Sequence, residues 1–300
     1  MTLDLSGLAV ALATPFTPAG EVDLPAFRKL VRHVAAGGAK TLVPLGSTGE
    51  AATILEAERD AIIAACLEEA GGRPVVVGTG HNATRQAAAM TKRAQTLGAQ
   101  GALVVTPYYN KPTPDGLVAH FAAVAEAAPG LPIIAYNVPG RTGLNVTPPT
   151  LARLWENPQV VAVKESSGNL AQIAEIARQL PKGKTLLSGD DNLALAALAV
   201  GASGLVSVLG NVLPRETSAM VEAARAGRTT EALRLHQQLL PLMDALFLES
   251  NPIPLKAALA MLGLCGDGLR LPLVPASAAT RTRLAEALCL SAEGTFPGVF

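Results

Sequence analysis

The chain has 300 residues, 49% of them hydrophobic and 16% charged, with 24 basic and 24 acidic side chains. A core of that size buries its apolar surface unaided, and a single α/β barrel of about 250 residues fits within it. Zero formal net charge, with Lys and Arg spread along the chain rather than clustered, excludes the electrostatic footprint of a nucleic-acid or anionic-membrane binder. Three cysteines, an odd number without a CxxC, point to a reduced cytoplasmic protein. The start, MTLDLSGLAVALATPF, has no basic segment ahead of its short apolar stretch, which argues against a signal peptide.

Along the chain, short apolar runs recur without alternation, as expected of strands buried on both faces. LAVALA (8–13) leads to a helix predicted over 25–35, and TLVPL (41–45) to one over 56–69. PVVVG (74–78) precedes a helix over 83–97, and GALVV (101–105) one over 115–127. PIIAYN (132–137), VVAVK (160–164), TLLS (185–188) and GLVSV (204–208) alternate with shorter helices at 149–155, 170–179, 192–200 and 214–225. Gly37-Gly38, Gly71-Gly72 and Gly98 stand where helices end. Eight alternations predict an α/β protein built as a closed parallel TIM (β/α)8 barrel over residues 1–225. A doubly wound open sheet is the alternative, but no GxGxxG follows the first strand. Residues 192–214 carry no charge over a length that could span a membrane, yet Gly201, Gly204 and Gly210 break them into helix, turn and strand. From 226 to 300 only helices are expected, at 228–247, 253–263 and 277–289, as an extension packed on the barrel.

In such a barrel the chemistry lies at the C-terminal ends of the strands. Lys164 directly follows VVAV, so its stem rises from a buried strand. Apolar surroundings favour a neutral amine, which can form an imine with a ketone. Glu165, next along the strand, should face the other way rather than pair with it. Tyr136 ends the preceding strand, where a phenol can exchange protons with an amine or an imine. Ser47-Thr48-Gly49 offers hydroxyls and backbone N–H groups that suit a small carboxylate, although a helix cap is an equal alternative. Arg141, in a Pro-Gly loop, can grip a carboxylate with its planar fork. Asp190-Asp191 reads as an N-cap for the helix at 192–200. His33, His81, His120 and His236 are isolated, so no metal is expected, and no P-loop is present.

At these residues the chain resembles the dihydrodipicolinate synthase and N-acetylneuraminate lyase family. The likeness runs from ALATPF (11–16) through GSTGE, TPYYNKP, YNVPGRTG, VAVKESSGN and SGDD to ESNPIPLKAAL (249–259). It implies an enzyme without cofactor in which Lys164 condenses with pyruvate, loses a proton to give an enamine and attacks an aldehyde. Tyr136, Ser47 and Tyr109 would form the proton relay, with Tyr109 supplied by a neighbouring subunit. Thr48 and the adjacent amides at Gly49 would hold pyruvate, and Gly189 and Val206 would complete the substrate pocket. Arg141 directs the reading to aspartate semialdehyde and lysine biosynthesis, although Ser47 stands where such synthases more often carry Thr. A related aldolase acting on another 2-oxo acid is the alternative. The resemblance further implies a homotetramer built as a dimer of dimers. It also implies weak lysine inhibition: Glu56 and Arg59 replace His of lysine-sensitive relatives, and Gln86 replaces Glu, while Asn82 and Tyr108 match them.

Overall fold

The structure, a computed structural model, describes residues 3–291, so 292–300 of the expected extension lie outside the described residues. Eight strands alternate with helices: β1 (Gly7–Ala11), α1 (Leu24–Ala36), β2 (Thr41–Val43), α2 (Glu56–Glu69), β3 (Val76–Gly78), α3 (Thr84–Thr96), β4 (Gly101–Val105) and α4 (Pro114–Ala127) begin the series. β5 (Ile133–Asn137), α5 (Pro139–Thr142), α6 (Pro148–Leu154), β6 (Val160–Glu165), α7 (Leu170–Arg178), β7 (Thr185–Ser188), α8 (Ala194–Ala199), β8 (Gly204–Ser207) and α9 (Pro214–Arg225) complete it. Every strand pair is parallel, in the order β2-β1-β8-β7-β6-β5-β4-β3. A bridge between Leu42 and Val75, and the Gly78 N–H donated to Pro44 O at 2.9 Å, join β2 to β3. The sheet is thereby closed into the TIM barrel that the alternation predicts.

Both faces of the strands are buried, which is why none of them alternates apolar with polar residues. Ala9, Val43, Ile134, Ala162, Leu187 and Val206 fill the barrel. Leu8, Val10, Val163 and Leu186 face the surrounding helices. β2 ends sooner than expected because Pro44 has no N–H to carry the ladder on. The four-residue α5 is too short to announce itself by periodicity, and Gly143, left-handed at φ 71°, ends it.

The helix ends follow local chemistry. Asp23 caps α1 by accepting the Ala26 N–H, and Glu58 reaches back to accept the Leu55 N–H ahead of α2. The 47–49 segment is therefore no helix cap. Beyond the barrel, α10 (Thr229–Ala245), α11 (Ile253–Met261) and α12 (Ala278–Ser291) share one continuous core with α1 and α2 through Leu239, Leu242, Leu255, Leu259 and Leu284. Each such leucine contributes about 1.5–3 kcal/mol on burial, enough to hold the extension against the barrel. No helix among the described residues is long and apolar enough to cross a membrane, and 192–214 folds as α8, β8 and a 3-10 turn at Leu209–Asn211.

Candidate active site

Strand parity places the lysine. Along β6, Ala162 points into the barrel and Val163 outward, so Lys164 points in and Glu165 out. Lys164 is in register with Tyr136 on β5, and its Nζ lies 4.2 Å from the centroid of the Tyr136 ring. Both are buried, 4% and 6% exposed. Outside the barrel, Glu165 accepts from Asn137 Nδ2 and the Ser167 N–H, each at 2.8 Å. Burial raises its pKa, and these hydrogen bonds oppose the shift. Glu165 thus fastens β5 to β6 and is not the ion-pair partner of Lys164.

Gly189, just past β7, makes room for the lysine. A Cβ there would lie 2.7 Å from Lys164 Cε and closer still to Ser166 Oγ. The next residue, Asp190, is pushed up to about 6, mainly by burial, against the opposing pull of Lys164. Asp191 does not cap α8. Its buried carboxylate accepts the Val208 and Leu209 N–H groups at 2.9 and 3.0 Å and a hydroxyl hydrogen bond from Ser207. A local capping rule pointed to the neighbouring helix, whereas three donors at and just past the end of β8 hold the carboxylate instead. Val206 lies in the same barrel-filling cluster, one strand further round.

Across the mouth, the 46–50 loop turns tightly between two left-handed non-glycine residues, Leu45 at φ 60° and Glu50 at φ 53°. Gly49 N–H donates to Gly46 O at 3.1 Å and Glu50 N–H to Ser47 O at 3.1 Å. Thr48 is buried, and its Oγ1 accepts from Asn251 Nδ2 at 2.9 Å. The Asn251 carbonyl in turn accepts from Arg141 Nη2 at 2.9 Å. Lys256, wholly buried, pairs with Glu50 at 2.5 Å, donates to Gly268 O at 2.7 Å and lies over the Phe16 ring. Burial pulls the Lys256 pKa down and Glu50 pushes it back up. The extension therefore reaches into the site, which no motif in the sequence disclosed. A lone lysine within IPLKAAL, flanked by apolar residues, was the available signal, since a buried charge requires a partner.

The aromatic loop after β4 behaves differently. Tyr108 lines a cavity of about 960 Å³ and meets His81 edge-on at 5.9 Å. Tyr109 has a left-handed backbone at φ 73° and is 89% exposed. The cavity runs from Ser47, Tyr136 and Arg141 at the barrel mouth to Arg59 and Gln86 between α2 and α3. Ser47, Tyr136, Lys164, Thr48, Arg141, Gly189 and Val206 thus gather around one mouth, and Tyr109 stands apart from it.

A buried lysine beside a phenol, inside a closed barrel, is the apparatus of imine chemistry, and the fold and site define an aldolase-type lyase. Residues 4–290 match the model of the Dihydrodipicolinate synthetase family, and the chain belongs to that family. The 4-hydroxy-tetrahydrodipicolinate synthase of Geotalea daltonii is 46% identical over 279 residues, 93% of this chain and 96% of that protein. The chloride-inhibited dihydrodipicolinate synthase of Acinetobacter baumannii, solved with pyruvate, superposes with a TM-score of 0.94 at 40% identity, covering 96% of this chain and 99% of that one. The Cyanidioschyzon merolae enzyme, solved with lysine bound, gives 0.92 at 41% identity, covering 96% and 98%. The chain is an enzyme of lysine biosynthesis with 4-hydroxy-tetrahydrodipicolinate synthase activity.

Proposed function

We propose that Lys164 carries the Schiff base of this reaction and that the groups around it divide the work. The observation that supports this most directly is the Lys164 amine, buried inside the barrel 4.2 Å from the Tyr136 ring. The neutral amine adds to the ketone carbon of pyruvate, and loss of water with uptake of one proton, delivered through Tyr136, leaves a protonated imine. That cation is the electron sink, so the methyl group gives up a proton and becomes an enamine without help from a metal or cofactor. The enamine carbon attacks the aldehyde of aspartate semialdehyde. The amine of that substrate then closes the ring on the imine carbon and releases Lys164.

Tyr136 passes protons at the carbinolamine and imine stages, relayed through Ser47 and the Tyr109 phenol of a second subunit. Thr48 and its backbone amide hold the pyruvate carboxylate. Gly49 shapes the turn, its own N–H being taken by Gly46 O. Arg141, oriented by the Asn251 carbonyl, receives the carboxylate of aspartate semialdehyde, and Gly189 and Val206 wall the pocket. The working unit is a homotetramer built as a dimer of dimers, in the cytoplasm, consistent with cysteines 66, 265 and 289 being unpaired.

Borohydride reduction in the presence of pyruvate tests the central step. Mass spectrometry should find one reduced pyruvyl adduct, on Lys164, with activity lost in proportion. An adduct on another lysine, or none, would overturn the assignment.

A further inference from the structure

Thr48 has one hydroxyl proton and therefore one hydrogen bond to donate. Its oxygen already accepts from Asn251 Nδ2 at 2.9 Å, in a buried contact between residues 203 positions apart. Asn251 is itself only 5% exposed. That amide fills one of the two acceptor positions of the oxygen and leaves the hydroxyl proton uncommitted, free to act as a donor. A donor is what a carboxylate in the mouth requires, because a carboxylate only accepts.

We propose that Asn251 is a positioning residue for pyruvate: its side-chain amide sets the polarity of the Thr48 hydroxyl so that it donates to the substrate carboxylate. The inference rests on the reading of Thr48 as a ligand of that carboxylate. The bond to Arg141 comes from the Asn251 main-chain carbonyl, so it survives changes to the Asn251 side chain. The two halves of the residue thus serve two substrates, and they can be separated by experiment.

Asn251→Asp keeps the size of the side chain and replaces the donor with an acceptor. The Thr48 proton is then drawn toward the new carboxylate and away from pyruvate. The KM for pyruvate should rise about tenfold or more, and the KM for aspartate semialdehyde should stay within about twofold. Lowering the pH should recover part of the loss, because a protonated carboxyl regains a donor. A general distortion of the site would move both KM values, a folding defect would lower apparent turnover without changing either, and neither would respond to pH in this way.

A double-mutant cycle with Thr48→Val separates an effect through the hydroxyl from simple repulsion by the new charge. If Asn251 works through Thr48, the double variant should be no worse for pyruvate than the worse single variant. Multiplication of the two penalties would overturn the proposal, as would an Asn251→Asp enzyme with an unchanged pyruvate KM. If Thr48→Val itself leaves the pyruvate KM unchanged, Thr48 is no pyruvate ligand and the underlying reading falls first. Should Asn251→Asp not fold, Asn251→Ala takes its place in the same cycle. It should show a smaller rise in pyruvate KM that vanishes in the Thr48→Val background, and persistence there would overturn the proposal.

Discussion

Two sides of the barrel mouth are built on opposite plans. On the side of β2 and the C-terminal extension, the charged groups are answered within the chain. Glu50 sits left-handed, at a cost on the order of 1–3 kcal/mol, and is gripped by Lys256 and by the Arg270 N–H. Thr48 is tied to Asn251 and Asn251 to Arg141. On the side of the β4 loop, Tyr109 and Lys111 are also left-handed, yet Tyr109 projects into open space. One side is held together by contacts within the chain. The other leaves a large ring exposed on a left-handed loop residue, with no contact among the described residues that covers it.

The largest effect should come from breaking the closed side. Lys256→Met preserves most of the volume and leaves Glu50 buried without its cation. Stability should fall by about 3–5 kcal/mol in denaturant titration, and adding Glu50→Gln should restore part of it. A loss below about 1 kcal/mol would mean that the ion pair is solvated and not a lock.

Next in size is the packing around the lysine. Gly189→Ala puts a methyl group 2.7 Å from Lys164 Cε, so the amine must shift. A misplacement of about 1 Å costs roughly 10²-fold, which should appear in the rate of borohydride trapping with pyruvate, with little change in melting temperature. Normal trapping would show that the mouth yields at this point and that the contact is incidental.

The same two sides explain what could be read from sequence. The eight strands were legible because burial on both faces leaves each one an unbroken apolar run, and Lys164 and Tyr136 end two of those runs. The inward and outward parity of Lys164 and Glu165 followed from the period of a strand. Asn251 and Lys256 were not legible in their roles, because their partners Thr48 and Glu50 lie 203 and 206 residues away. Asp191 was misassigned for a related reason: its partners come 16–18 residues later, after a complete helix and strand.

The open side is tested by Tyr109→Phe, which removes one hydroxyl and should lower turnover by about 10²-fold while leaving assembly intact. Mixing this variant with Lys164→Ala subunits sharpens the test. If Tyr109 acts across an interface, one site of each mixed dimer has both groups and activity returns. Verified mixed dimers without recovery would place Tyr109 outside the relay.

The smallest effect expected concerns lysine, at the far end of the same cavity. Arg59 is half-buried there, its guanidinium donating to Gly78 O at 2.8 Å, and desolvation lowers its pKa. An incoming lysine brings an ammonium against that like charge. Of the nearby acids, Asp60 accepts at both oxygens from Arg93, Nε to Oδ1 and Nη2 to Oδ2, and the Glu56 charge already bears on Arg59. Gln86, on the cavity wall, supplies no negative charge at all. Neither the free nor the paired groups favour a cation, so half-inhibition should require lysine above about 1 mM, a binding energy weaker than roughly 4 kcal/mol. Arg59→His with Gln86→Glu removes the repulsion and installs an acceptor for the ammonium. That double variant should become inhibited at least about tenfold more readily, as one added charge-assisted hydrogen bond would give. Sensitivity below a millimolar in the unaltered enzyme would overturn this reading of Arg59 and Gln86.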